Sequence, residues 1–191
     1  MPRLFTGLRL PDDVTSDLTD LECPLPGASW IEEDNLHLTL RFAGDIDNRL
    51  AREFIEELAR IDFDVFELAI EGVHVVGGND PKILYAGFGP SPALAALARA
   101  HERAARSAGI PPERRPFKPH VTLARLRNVS IPDLTKFLQA HALYRSRPFV
   151  IEAFALFSSK PRIGGGPYVI EEAFPLRGAR PMFAGLDDEN D

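Results

Sequence analysis

The sequence predicts an α+β fold of two pseudo-symmetric lobes, each with an antiparallel sheet and helices, and a cleft between them. Three observations carry this. Two similar stretches, His37-Leu38-Thr39-Leu40 and His120-Val121-Thr122-Leu123, lie in strand-like surroundings, one in each half of the chain. Each half reads in one order: strand, helix, His-x-Thr strand, helix, strand region. The apolar residues change from strand to helix periodicity along that order. Identity between the halves is slight, so the duplication is one of pattern.

The elements follow in turn. Residues 4–10 alternate loosely and read as a strand. Pro11-Asp12-Asp13 opens a helix, with proline and acids in its first turn and Val14, Leu18 and Leu21 as its apolar stripe. Pro24, Pro26 and Gly27 break it, and Trp30 and Ile31 lead to a strand over 35–44 that holds the first motif. Residues 47–61 carry Leu50, Phe54, Leu58 and Ile61 at helical spacing. Residues 63–76 are rich in Val, Phe, Ile and Leu and read as one long strand or a bent pair, closed by the turn cluster Gly77-Gly78-Asn79-Asp80-Pro81. The order then repeats. Residues 82–88 read as a strand, and Ser91-Pro92 caps an Ala-rich helix that Gly109 and Pro111 end. The second motif lies in a strand over 117–126, and a short helix covers 132–141. Residues 149–157 and 168–174 read as paired strands around Ile163-Gly164-Gly165-Gly166-Pro167, a turn that could also serve as a rim of a site.

The chain has 191 residues, enough for one domain or two fused lobes. Residues 1–180 are expected to form a single bilobal domain. Its formal net charge is −6, and four acids, Asp187, Asp188, Glu189 and Asp191, lie at the end, so without them it is −6 + 4 = −2. Residues 184–191 are therefore expected to be an acidic, disordered tail. A near-neutral body excludes a strongly basic polymer binder but allows local binding of an anion. Cys23 is the one cysteine, which rules out an intramolecular disulfide and fits a reduced compartment. Neither a signal peptide nor a membrane span is read, so a cytoplasmic monomer is expected.

In a strand, residues i and i+2 share a face. His37 and Thr39 therefore project together, as do His120 and Thr122, with Leu38, Leu40, Val121 and Leu123 turned to a core. With five His and six Thr in the chain, shuffling gives about 0.16 His-x-Thr triplets, so two are a strong signal. A single such motif would more simply be a solvated strand histidine beside a favoured strand residue. His74, His101 and His141 have no such partners and are read as structural or surface residues.

Two imidazoles and two hydroxyls suit phosphoester chemistry without a metal or other cofactor. One imidazole can be neutral and the other charged near neutral pH, to take a proton from a nucleophile and give one to a leaving oxygen. Threonine hydroxyls can bond the non-bridging oxygens. A nearby arginine would add bidentate contact. Strict alternation places Arg41 on the His37 face and Arg125 on the face opposite His120, so Arg125 needs a bulge or strand end to reach the site. Rival chemistries lack their signatures: no Cys or His cluster spaced for zinc, no Gly-x-Ser-x-Gly elbow, and no P-loop ending in Lys-Ser/Thr.

These residues resemble the 2H phosphoesterase superfamily, and within it the RNA 2′,3′-cyclic phosphodiesterase (2′-5′ RNA ligase) family. The resemblance is carried by Arg3-Leu4-Phe5, by Trp30 with Asn35 through Gly44, by Phe117-Lys118-Pro119-His120-Val121-Thr122-Leu123-Ala124-Arg125, and by Phe174-Pro175-Leu176. It departs from the family pattern modestly at Ala43, away from the chemistry. It implies a site of His37, Thr39, His120, Thr122 and Arg125 acting on an RNA or oligonucleotide with a 2′,3′-cyclic phosphate end. It further implies hydrolysis to a 2′-phosphate, with His37 as acid, His120 with Arg125 as base, and the threonines holding phosphate. Two alternatives stand: 2′-5′ ligation of cyclic phosphate and 5′-hydroxyl ends, which uses the same residues, and a non-catalytic nucleotide or RNA-binding module, which would keep the threonine and arginine contacts but need not keep both histidines. Phe42 and Phe117 are candidates for base stacking or for the core.

Overall fold

The computed structural model describes residues 3–159 and 168–180. The tail expected over 184–191 and the turn at 163–167 lie outside the described residues. The first half runs β1 (Arg3–Arg9), α1 (Asp12–Thr19), β2 (Ala28–Trp30), a 3-10 turn (Glu33–Asn35), β3 (His37–Asp45), α2 (Asn48–Ala59), β4 (Phe66–Leu68) and β5 (Ile70–Val76). The second runs β6 (Ile83–Phe88), α3 (Pro92–Ser107), β7 (His120–Leu126), α4 (Ile131–His141), β8 (Phe149–Ile151), β9 (Ala153–Ser159) and β10 (Tyr168–Pro175).

Local chemistry sets the helix starts. Asp47 accepts from the Leu50 N–H at 2.8 Å and Ser91 from the Leu94 N–H at 3.1 Å, each satisfying a donor that the first turn leaves unpaired. Phe54 and Leu58 of α2 and Leu97 and Ala105 of α3 are fully buried. The alanine-rich face of α3 lets it lie close on β3 and against α2. Truncating Phe54 to Ala would cost about 3–5 kcal/mol through lost burial and a residual cavity.

The main sheet has the strand order β10-β9-β1-β3-β7-β6-β5, antiparallel throughout, with β2 also pairing β7. The two lobes meet where β3 pairs β7, and they are not the two halves of the sequence. β9 and β10, from the second half, pair onto β1, while β5, from the first, pairs onto β6. Each half thus lends its last strands to the other lobe. This explains why residues 63–76 and 149–157 each divide in two. Their leading pieces, β4 and β8, leave the main sheet at the crossing and pair with each other, Glu67 opposite Val150.

Candidate active site

β3 and β7 are joined at one pair, Leu38 opposite Val121. These are equivalent residues of the two motifs in an antiparallel ladder, so an approximate two-fold axis passes between them. Both are fully buried on the core face. By alternation His37, Thr39, His120 and Thr122 all project to the other face, with His37 set towards Thr122 and Thr39 towards His120.

Each imidazole is held in the same way. His37 Nδ1 donates to the Asn35 carbonyl at 2.8 Å, and His120 Nδ1 donates to the Lys118 carbonyl at 2.8 Å. A carbonyl only accepts, so Nδ1 carries the hydrogen and Nε2 is the free nitrogen in the neutral form of each ring. The Thr39 hydroxyl lies 3.2 Å from His37 Nε2. Asn35 is itself buried, and its side-chain oxygen accepts from the Tyr168 N–H at 3.0 Å, which pins β10 beside the first motif.

The rings around the two histidines differ. Phe5, Tyr168 and Phe157 lie 4.9, 4.8 and 5.8 Å from His37 between ring centroids, and together form a small apolar cluster on the site face. His120 has Tyr85 at 5.6 Å, and Tyr85 in turn meets His74 at 5.4 Å. Burial pushes the His37 pKa down; the Asn35 carbonyl opposes this, and the charge of His120 adds to it. The two imidazoles therefore sense each other.

The arginines are sorted by a pair of bulges. Between Thr39 and Arg41, β3 advances two residues while β1 advances one, from Gly7 to Thr6. Between Thr122 and Ala124, β7 does the same against Tyr85 and Leu84 of β6. Each bulge shifts the alternation by one. As a result Leu123 and Ala124 are both buried, and Arg125 emerges exposed on the His120 face. The bulge that Arg125 needs is present. The expectation for Arg41 is corrected by the same geometry. Leu40 and Arg41 both turn to the core face, and Phe42, 48% exposed, takes the place on the His37 face that Arg125 takes beside His120. Arg41 is 6% exposed; it donates to Glu102 of α3 and the Pro111 carbonyl at 2.5 Å each, and also to the Phe42 carbonyl. At Gly7 a Cβ would lie 2.6 Å from the Leu38 carbonyl oxygen, so glycine is what lets β1 approach β3 beside the bulge.

Sequence reasoning missed Phe157, Tyr168, Tyr85 and the placement of His74. His74 is exposed, as expected, but on the site face. Strand alternation could have flagged Tyr85, a large polar aromatic in an otherwise apolar strand; the rings from β9 and β10 carry no such signal because the strand exchange brings them in. His101 is fully buried against Phe154, and His141 lies on α4 against Phe137, both away from the motifs. Among the described residues no three His, Cys, Asp or Glu side chains gather as a metal-holding group, and no helix is long and apolar enough to cross a membrane.

The arrangement has counterparts. The family model described as LigT like phosphoesterase matches residues 8–85 and again residues 88–166, one match for each half of the pattern. An RNA 2′,3′-cyclic phosphodiesterase of Aeropyrum pernix is 36% identical over 112 residues, 57% of this chain and 64% of that protein. One of Geobacillus stearothermophilus is 30% identical over 84% of this chain and 51% of its own length, so the chain spans under two thirds of both relatives. One of Thermus thermophilus is 30% identical over 92% of this chain and 91% of that protein. In fold, the chain matches Escherichia coli LigT complexed with 3′-AMP at a TM-score of 0.75, with 23% identity, over 93% of this chain and 99% of that one.

Proposed function

The chain belongs to the LigT like phosphoesterase family, and on that premise we propose that it hydrolyses RNA 2′,3′-cyclic phosphate ends to 2′-phosphates by metal-independent acid–base catalysis. The carrying observation is the pair of imidazoles fixed at Nδ1 on one face of the sheet, with the threonine of each motif on that same face.

In this reading water attacks phosphorus, the P–O3′ bond breaks, and the phosphate stays on O2′. His120 Nε2 takes the proton of the water. His37 Nε2 gives a proton to O3′ as it leaves. Thr39, Thr122 and Arg125 bond the non-bridging oxygens, where charge is concentrated. The lowered His37 pKa constrains the scheme: in the free protein burial makes this ring lose its proton more readily than an exposed imidazole. For His37 to donate, its proton must enter with the substrate, whose phosphate anion offsets the cost of a buried charge. The named relatives support the substrate class.

The test is incubation with a nucleoside 2′,3′-cyclic phosphate in excess chelator, with the products separated. The expected product is the nucleoside 2′-phosphate. A 3′-phosphate, or turnover only after a divalent metal is restored, would overturn the proposal.

A further inference from the structure

We propose that the segment 111–119, between α3 and β7, is the track along which the RNA strand leaves the site on its 5′ side. The inference rests on the reading of the site above and adds the direction of the polymer.

The two rims of the site face differ in charge. Beside His37, the 3-10 turn and the residue before it carry Glu32, Glu33 and Asp34, all exposed. Among the described residues Arg9 is the cation on this side, and it is paired with Asp12 at 3.0 Å. A polyanion crossing here would meet like charge. Beside His120, the sequence Glu113-Arg114-Arg115-Pro116-Phe117-Lys118 is exposed throughout and net positive.

The segment is built to present those cations. It holds Pro111, Pro112, Pro116 and Pro119, whose fixed φ keeps it extended. Arg41 anchors its start through the Pro111 carbonyl, and Glu102 accepts from the Glu113 N–H at 3.4 Å. The Glu113 carboxylate accepts the N–H groups of Arg114 and Arg115 at 2.9 and 3.0 Å in a tight turn; the Arg115 side chain is 85% exposed and lies 3.6 Å from the same carboxylate, a solvent-screened pair that a phosphate can displace. Phe117 is 36% exposed two residues later, a face on which a base can stack. The far end is the Lys118 carbonyl that orients His120. Cations, an aromatic and the catalytic face thus lie along one stiff stretch of chain, in a molecule whose net charge of −6 gives no general attraction for RNA.

The experiment compares the protein with the double variant Arg114→Gln, Arg115→Gln. One arm titrates a fluorescein-labelled oligoribonucleotide ending in a 2′,3′-cyclic phosphate, by anisotropy, across a salt series. The other measures turnover of a nucleoside 2′,3′-cyclic phosphate. Losing two phosphate contacts should flatten the log K against log salt slope by about 1.4, so the ratio of affinities at 50 and 200 mM salt shrinks by about sevenfold. Mononucleotide turnover should be unchanged. An unaltered slope would overturn the proposal, as would an equal loss of mononucleotide turnover, which would place the arginines within the site. Failure of the unsubstituted protein to turn over the mononucleotide would instead reject the reading of the site, while the anisotropy arm still reports on the track.

Discussion

Arg41 and Arg125 sit close after their motifs, and the bulges assign them opposite tasks, so the paired substitutions Arg41→Met and Arg125→Met should separate stability from activity. Methionine keeps much of the aliphatic stem of either side chain and removes the guanidinium. At Arg41 three acceptors lose their donor: the Glu102 carboxylate and the carbonyls of Phe42 and Pro111. Each carbonyl loses one hydrogen bond, worth about 1 kcal/mol. Glu102 is 29% exposed and regains part of its hydration, so its share is held to about 1 kcal/mol rather than the cost of a fully buried charge. The sum, about 3 kcal/mol, corresponds to a fall in Tm of roughly 6–12 °C for a chain of this size. At Arg125 the side chain is exposed and makes no hydrogen bond or ion pair among the described residues, so stability should change by less than about 0.5 kcal/mol. Loss of its charge-assisted bonds to phosphate should lower kcat/KM about 100-fold, or about 3 kcal/mol of transition-state stabilisation. Scanning calorimetry and initial rates on a nucleoside cyclic phosphate, below both transitions, read the two effects. The reasoning fails if Arg41→Met keeps its Tm and loses activity, or if Arg125→Met melts early at full rate.

His37→Ala and His120→Ala should each lower kcat/KM by about 10²–10⁴-fold on a ribose cyclic phosphate, with the double variant little worse than either. On a nitrophenyl phosphodiester, whose leaving group needs no proton, the His37→Ala loss should shrink while the His120→Ala loss persists; the reverse pattern would exchange acid and base. A third prediction concerns His101, which is fully buried with neither ring nitrogen hydrogen-bonded and whose pKa burial lowers to about 3. The unfolded chain takes up a proton near 6.5 and the folded one only near 3, so in that window the unfolded state holds more protons and stability falls as the pH falls. By pH 5 the contribution is about 2 kcal/mol, and His101→Leu should abolish that part of the acid lability in urea titrations at pH 7 and 5. Equal acid sensitivity in both proteins would count against it.

The element order was legible because helix and strand periods differ, and because a cap such as Ser91 marks a helix start. What the order did not carry was partnership. Strand pairing is set by contacts distant in sequence, and residues 63–76 read equally well as a strand of their own lobe or of its neighbour. The exchange of β5 and β9 therefore escaped, and with it the arrival of Phe157 and Tyr168 beside His37. The site was legible in its histidines and threonines, since two residues apart on a strand fixes their common face. It failed at Arg41 because alternation counts residues while a bulge inserts one. The bulge at Leu40 has no glycine of its own; its nearest trace is Gly7 in the neighbouring strand, where a side chain would strike the Leu38 carbonyl. The same insertion at Leu123 supplied the reach that Arg125 lacked on strict counting.

The duplicated frame raises a chemical difficulty that the asymmetry around it resolves. A two-fold axis between Leu38 and Val121 delivers two imidazoles with the same carbonyl on Nδ1 and the same threonine two residues on. Identical imidazoles share a proton equally, whereas acid–base catalysis needs one ring charged and the other neutral at the same moment. The motifs cannot break that tie, because they are what the duplication copies. The surroundings do. Three rings press on His37 and lower its pKa, while the equivalent bulge positions present Phe42 on one side and Arg125 on the other. In the proposed mechanism the guanidinium beside His120 holds phosphate where a water can be activated. Rings around His37 make its charged state depend on an anion being present. The two histidines are thus equal in sequence but differ in surroundings, and in the proposed mechanism that difference divides acid from base; on the His37 side those neighbours come from strands that the second half of the chain contributes.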